Sequence, residues 1–264
     1  MTTPDTGRVY HVLLQLAVIS GVLVIWEISG RVGLLNPLFF PIPSVIFLTF
    51  FTMILSGEIS EHLSITLFRV FMGFLLGTIP GIIIGMVMGA SNKVRLLLDP
   101  IVSATYPIPK LAIFPLLMVI FGIGEFSKII AIALGCFFLA LINSMAGVRN
   151  INKVYFDVAK NYGASRKQVF TKVMLPASLP MIFAGIRLAL GTSLLVVVGL
   201  EFVSANKGVG ALIWYAWETF EIEKLYVGIF ICAILGIIST YALKKAEEYI
   251  VPWVGQLAHK IERQ

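Results

Sequence analysis

Three charged residues lie within or at the end of long apolar runs, where they could contact a charged solute: Lys110, Arg187 and Glu201. Lys110 follows Pro100 by about ten residues, roughly 15 Å along a helix and therefore deep in a bilayer. Arg187 lies about as far beyond Pro176. A lone cation at such a depth is costly, so one interpretation is that it attracts an anion along a pathway through the membrane.

Each of these charges also has a structural interpretation, which the sequence leaves open. Pro107 and Pro109 break the helix before Lys110, so its ammonium could bind backbone carbonyl groups near the inner end of the run. Arg187 could join two helices. Glu201 lies at the outer end of its run, either at the mouth of a pathway or in a solvated helix end.

The polar segment 149–176 carries six basic residues and a single acid, Asp157. Its apolar residues recur every fourth position and predict one face of a helix: Val154, Val158 and Tyr162. Gly163 is expected to end that helix, and Ser165 to cap a second one that begins at Arg166. Pro176 marks the entry to the next apolar run. A helix–Gly–helix element of this size is too short for a domain and is suited to docking a partner protein.

Motifs for catalysis or for phosphate binding do not occur in the sequence. There is no G-x-x-x-x-G-K-[ST], HExxH, GxSxG or dinucleotide-binding fingerprint. Cys136 and Cys232 lie within apolar runs, and the three histidines are scattered, at His11, His62 and His259. We therefore expect no enzyme activity and no metal or cofactor bound by this chain, and uphill transport would need energy from another subunit.

Composition places the chain in a membrane. Of its 264 residues, 58% are hydrophobic and 13% charged, and the mean hydropathy is +0.95. Soluble domains carry about 25% charged residues. The net charge of +6 comes from basic residues in short gaps between apolar runs, which indicates membrane topology rather than nucleic-acid binding.

Six apolar stretches are long enough to be considered as spans: 11–29, 66–90, 100–121, 128–148, 177–200 and 225–243. The shorter run 44–56 predicts an interfacial helix that Ser44 could cap. The first run ends without a cleavage site and is interpreted as an uncleaved helix. Along the second run, glycine recurs every four residues and predicts close approach of another helix: Gly73, Gly77, Gly81, Gly85 and Gly89.

The charges of the loops predict the orientation. Basic residues concentrate in 149–175, in the 91–99 loop and in the C-terminal tail, which includes Lys260 and Arg263. Segment 201–223 instead carries four glutamates and one lysine. Because cytoplasmic loops are rich in Lys and Arg, both termini, 91–99 and 149–175 are expected inside, and 30–65, 122–127 and 201–224 outside.

One pattern in segment 149–176 resembles the cytoplasmic motif of ABC importer permeases, which reads E-A-A, three residues, G, nine residues, I-x-L-P. This sequence has Asp157-Val158-Ala159, then Gly163, then Val173-Met174-Leu175-Pro176 at the same spacing, with Val158 as the departure. Further segments resemble the nitrate/sulfonate/taurine branch of that family, among them Phe40-Pro41-Ile42-Pro43-Ser44, Thr66-Leu67-Phe68-Arg69 and Gly208-Val209-Gly210.

The resemblance implies an all-α membrane protein with six transmembrane helices and a cytoplasmic coupling helix, the type I ABC importer permease fold. Residues 1–264 would form one permease domain, with an extra N-terminal helix in 1–35, a core at 60–250 and the coupling segment at 154–176. Carried over by position, the residues that contact the ATPase or tie the segment to the next span are Asp157, Ala159, Tyr162, Gly163, Ala164, Leu175 and Pro176.

The resemblance also implies partners and a location. Two ATPase subunits would hold ATP and Mg, a second permease copy would complete a homodimer, and a periplasmic or lipid-anchored binding protein would deliver the solute. The location would be a bacterial inner membrane, with no nucleic-acid partner. The solute would be a small anion such as nitrate, a sulfonate or taurine. A stand-alone channel or secondary carrier is the alternative, and it would require a selectivity filter or a buried proton relay.

Overall fold

A computed structural model describes residues 4–253, all of whose regular elements are helical. His259, Lys260 and Arg263 lie outside the described residues. In chain order the helices are α1 (Pro4–Arg31), α2 (Pro43–Leu55), α3 (Glu58–Ala90), α4 (Asn92–Thr105), α5 (Lys110–Phe121), α6 (Glu125–Arg149), α7 (Lys153–Asn161), α8 (Arg166–Val169), a π-helix (Phe170–Met174), α9 (Leu175–Ser204), α10 (Val209–Glu218) and α11 (Ile222–Ile250). The predicted all-α class is confirmed.

Five of the described helices are long and apolar enough to cross a membrane, and α4 with α5 can make a sixth span. The five long helical stretches are Leu13–Arg31, Glu58–Ala90, Glu125–Arg149, Arg166–Ser204 and Ile222–Ile250. α2 has 13 residues, fewer than a span needs, in agreement with the predicted interfacial helix.

The span predicted over 100–121 is bent and broken in its middle, and its two halves can together make one span. α4 and α5 meet at an angle of 98°, with the chain broken between Thr105 and Lys110. Pro107 and Pro109 fall within this break. Proline supplies no backbone N–H and pushes the preceding residue out of the helical region, so two prolines in three residues prevent the helix from continuing.

Ser44 does not cap α2 as predicted. The N-cap residue is Ile42, and Pro43 occupies the first turn. Ser44 lies inside the helix and donates both its backbone N–H and its hydroxyl to the Glu27 carboxylate of α1, at 3.0 and 2.8 Å. The cap is therefore a carboxylate from a neighbouring helix, placed where the positive end of the α2 dipole favours it.

The core of the bundle is α6, enclosed by α3 and α9. The glycine stripe of α3 faces α6, which confirms the predicted close approach. A Cβ at Gly81 would lie only 2.5 Å from the carbonyl oxygen of Phe137, and Gly77 and Gly85 also lie directly against α6 backbone. Any larger side chain along this line would separate the two helices.

The connecting segments that were predicted to share one side of the membrane lie at the same end of the bundle. Gly89, near the end of α3, lies against Val148 near the end of α6, and Gly147 lies against Ser178 near the start of α9. The start of α4 and the 149–175 segment therefore lie at one end; residues 92–99, predicted as a loop, are already helical. Glu125 and Glu201 both bind Arg69 at the opposite end, where residues 122–127 and 205–221 also lie.

Candidate functional site

The first half of segment 149–176 forms α7, a helix bounded by its own side chains. Asn152 caps its start by accepting from the N–H of Val154 at 3.0 Å. At its other end Gly163 adopts φ +67°, which glycine tolerates without strain. The amide of Gly163 donates to the carbonyl of Lys160 at 3.0 Å, and that of Ala164 to Ala159 at 2.9 Å. This pair of bonds is the Schellman motif, so the prediction that Gly163 ends the helix is confirmed.

The second half begins with the predicted cap and joins a membrane span. The hydroxyl of Ser165 accepts from the N–H of Gln168 at 3.4 Å, and the Gln168 side chain accepts from the N–H of Ser165 at 2.8 Å, forming a capping box. From Arg166 the chain stays helical through the π-helix and α9 to Ser204. The second half of the segment is thus a helical continuation of a span.

Pro176 lies in the first turn of α9, as predicted, and the helical path that begins at Arg166 passes through it. A proline ring clashes with the carbonyl group four residues earlier, here that of Lys172. Lys172 lies in the π-helix Phe170–Met174, whose wider turn is a common local adjustment inside long helices. The π-helix therefore explains how Pro176 lies inside a continuous rod.

The predicted apolar face of α7 is present and exposed. Val154, Val158 and Tyr162 are all open to solvent, with Tyr162 89% exposed. Asp157 is exposed beside them, while Ala159 and Ala164 are half-buried. Among residues 4–253, no ion pair involves a charged residue of segment 149–176. This surface has the composition of a docking face.

Lys110 binds backbone carbonyl groups, the structural alternative considered for it. Its ammonium donates to the carbonyls of Thr105, Tyr106 and Ile108 at 3.3, 2.9 and 2.8 Å. It also lies 4.7 Å from the centre of the Phe138 ring. The lysine thereby satisfies oxygens that the proline break leaves without helical partners. It also lines a largely apolar cavity of about 410 Å³ between α3, α4 and α6.

Arg187 makes the contact between helices that the sequence analysis considered. Its guanidinium pairs with the Glu247 carboxylate of α11, and both side chains are partly exposed. This ion pair joins α9 to α11 near the middle of α9.

Glu201 is not in a solvated helix end, and its carboxylate lines no open mouth in this structure. Its side chain is 0% exposed. Arg69 Nη1 donates to the carboxylate at 2.7 Å, the Thr66 hydroxyl at 2.8 Å and the amide of Gly210 at 2.8 Å. Gly210 must lack a side chain, because a Cβ there would lie 2.6 Å from the carbonyl of Val198.

Arg69 is the centre of a buried charge network that the sequence analysis did not identify. The residue is 2% exposed and joins three parts of the chain. It donates to Glu201 of α9, to the Glu125 carboxylate at 2.5 and 2.7 Å, and to the carbonyl of Lys207 at 2.7 Å. The available signal was a lone arginine three positions into the predicted span 66–90, where a cation requires partners.

Comparisons with known proteins show which family this sequence matches. Residues 81–254 match the family model described as binding-protein-dependent transport system inner membrane component. The aliphatic sulfonates transport permease protein SsuC of Bacillus subtilis is 38% identical, over 88% of this chain and 84% of its own. The taurine transport system permease protein TauC of Escherichia coli is 32% identical, over 94% of this chain and 92% of its own.

A solved structure supports the fold. A chain of the MetNI methionine ABC transporter, in an inward-facing conformation, matches with a TM-score of 0.54. The alignment covers 73% of this chain and 94% of that chain, with 18% identity. At this identity the likeness establishes a shared fold, the type I importer permease fold that the resemblance implied.

Proposed function

The chain belongs to the family of binding-protein-dependent transport system inner membrane components, and from this we propose that it conducts a small organic sulfonate and is driven by separate ATPase subunits. The permease role itself follows from the family. The sulfonate class rests on the two relatives named for aliphatic sulfonates and for taurine. Taurine and alkanesulfonates share an anionic head group, which agrees with the buried cations of this chain.

The observation that supports ATPase coupling is the exposed apolar face of α7. Val154, Val158 and Tyr162 lie on a short helix at the end of the bundle, uncovered by any described part of the chain. A partner surface would remove this apolar area from water, at about 25 cal/mol per Å². Asp157 would add a charged contact at the edge of the face.

The other coupling residues would hold that face in position. Gly163 ends α7 in the left-handed conformation, while Ala159 and Ala164 supply the carbonyl and amide of the closing bond. Leu175 and Pro176 lie where the π-helix joins α9. We propose that they transmit the position of the segment to the membrane span.

Continuity of the helix suggests how motion would cross the membrane. The path from Arg166 to Ser204 is helical throughout, and its far end carries Glu201, which is fixed to α3 through Arg69. A displacement of the docking face would therefore move α9 and the attached helices together. Such rigid-body motion is a common way to switch access between two sides of a membrane.

The proposed assembly contains two permease copies, two ATPases that hold ATP and Mg, and a solute-binding protein at the other face. In this arrangement the 149–176 end faces the bacterial cytoplasm, as do both termini. Of the three pathway candidates, Lys110 has the strongest support because it lines a cavity of about 410 Å³. Arg187 and Glu201 act in contacts between helices.

Reconstitution of the permease with its ATPase and binding protein in liposomes tests the coupling role. We expect Asp157→Arg and Gly163→Pro to abolish uptake of radiolabelled taurine while ATP hydrolysis and membrane insertion persist. Lys153→Gln, an exposed change on α7 outside the apolar face, is the matched control and should transport normally. Normal uptake by both variants would refute the coupling role of this segment.

A further inference from the structure

A polar cavity lies at the end of the bundle opposite segment 149–176. Its volume is about 530 Å³, within the range of roughly 300 to 1,000 Å³ that is typical of small-molecule sites. It opens between the first turn of α6 and the residues that follow α9. The charged side chains on its wall are Arg69, Glu125, Lys128 and Lys207, three cations and one carboxylate.

Four of the five N–H donors of Arg69 are engaged within the protein, which leaves at most one, on Nη2, for a ligand in this cavity. Its Nε and Nη2 donate to Glu125, and its Nη1 donates to Glu201 and to the carbonyl of Lys207. Its contacts with Glu125 are short and bidentate, at 2.5 and 2.7 Å, which is the strong geometry for an arginine–carboxylate pair. Arg69 therefore engages both neighbouring carboxylates.

The positive charge of Lys128 has little compensation from neighbouring groups. Its side chain is buried, with 4% of the residue exposed, yet its ammonium lies 3.4 Å from the nearer Glu125 oxygen. That oxygen already accepts from Arg69. A lysine carries three N–H donors, and a buried cation held by one long contact is costly. An anion in the cavity would provide the missing partner.

The surrounding backbone also favours an anion. α6 begins at Glu125, and its N-cap is Gly124, so no side chain caps the helix. Gly124 and Lys128 both line the cavity, which places the positive end of the α6 dipole beside the lysine. The second wall cation, Lys207, is half-exposed and paired with Glu61, so it lies at the opening.

We propose that this cavity binds the sulfonate group of the transported solute, with the ammonium of Lys128 as its principal donor. The proposal rests on the proposed function, because it assigns a site to the substrate class named there. Under that assignment the cavity lies at the face where the solute arrives, and Lys128 receives the anion before it enters the pathway. Lys128 is then a substrate-binding residue, and Arg69 positions Glu125 beside it.

Equilibrium dialysis of radiolabelled ethanesulfonate against the full-length protein in phosphatidylcholine nanodiscs tests the site. We expect Lys128→Gln to weaken binding about tenfold or more, as loss of a charge-assisted hydrogen bond predicts. Lys128→Arg should retain most of the affinity, and the neutral isostere ethanesulfonamide should bind weakly to the unaltered protein. Lys224→Gln is the matched control, because Lys224 lies at the same end but pairs with Glu58 and Glu221 outside this cavity.

A second variant separates binding from a structural role. Glu125→Gln removes the carboxylate that competes for Lys128, so ethanesulfonate should bind more tightly. The gain should be lost when Lys128→Gln is added to Glu125→Gln, whereas a gain that persists in the double variant would come from the Arg69 donors that Glu125 releases and would overturn the role of Lys128. Loss of ethanesulfonate binding when phosphatidylglycerol replaces phosphatidylcholine would assign the site to a lipid head group and overturn the proposal.

Uptake measurements distinguish failure of this site from failure of the proposed function. Suppose that cells carrying the unaltered protein import taurine, and that the Lys128→Gln variant binds ethanesulfonate and imports taurine as well as the unaltered protein does. The site is then wrong and the proposed function stands. If the unaltered protein neither binds ethanesulfonate nor supports taurine uptake, the sulfonate assignment falls and this site falls with it.

Discussion

The two ends of the bundle are built on different principles. At one end, segment 149–176 is stabilised by contacts between near neighbours, such as the Gly163 turn and the Ser165–Gln168 capping box, and it leaves its apolar face uncovered. At the other end, Glu125 and Glu201 are far from Arg69 in the sequence, and both bind its guanidinium. Locally determined structure can present a surface to a partner, while long-range contacts hold the helices in one arrangement.

The largest loss of stability is expected from Arg69→Met, at the end of the bundle that holds the buried charge network. Removing the arginine leaves the fully buried Glu201 without its counter-charge, which costs about 3 to 5 kcal/mol. Thermal unfolding in detergent should show a large loss of stability. The exposed Lys245–Glu248 pair supplies the control, since Lys245→Ala should change stability by at most about 0.5 kcal/mol.

A double variant sharpens this prediction. Arg69→Met combined with Glu201→Gln no longer leaves that carboxylate uncompensated, so it should regain part of the lost stability. If the single and double variants were equally unstable, burial of an uncompensated Glu201 charge would not explain the defect.

Between the two ends, Gly81→Leu should lower the stability of the protein by an intermediate to large amount. A side chain at this position meets the carbonyl oxygen of Phe137, so α3 and α6 must separate, and overpacking of this kind costs about 1 to 3 kcal/mol. Unfolding in detergent measures the loss. Gly191→Ala is the control, because nothing lies within 4 Å of a Cβ there and alanine favours a helix. Equal stability of the two variants would contradict the close contact.

The comparison also explains what could be predicted from the sequence. Gly163, Ser165 and the α3 glycine stripe were identified because each signal lies within one helix or turn. Glu201 was misjudged because its partner Arg69 is 132 positions away. The cap on Ser44 was missed for the same reason, since Glu27 approaches from another helix. Pro107 and Pro109 make the break inside the run 100–121 predictable from local sequence, whereas the 98° angle between α4 and α5 depends on packing with other helices.

A smaller loss of stability is expected from Ser165→Ala, at the end of the bundle that carries segment 149–176. This change removes one side-chain cap and should cost about 1 kcal/mol locally. Because α8 is short and exposed, hydrogen exchange at Gln168 and its neighbours should accelerate while the midpoint of global unfolding stays nearly constant. Lys167→Ala, an exposed change beside it, should alter neither. A large drop in global stability would show that this end, too, depends on long-range packing.

The smallest structural effect and the clearest topological result are expected from Tyr162→Cys. Tyr162 is 89% exposed, so its replacement removes no internal contact and should leave stability unchanged. The natural cysteines are buried or half-buried in helices, and Cys136 and Cys232 should react slowly with a charged maleimide.

In spheroplasts, a membrane-impermeant maleimide should label the new cysteine only after the membrane is opened, and purified ATPase subunits should protect it. A cysteine at Asn206, on the opposite end, should be labelled without opening the membrane. Labelling of position 162 from outside would reverse the orientation, and the docking face could then not meet an ATPase in the cytoplasm.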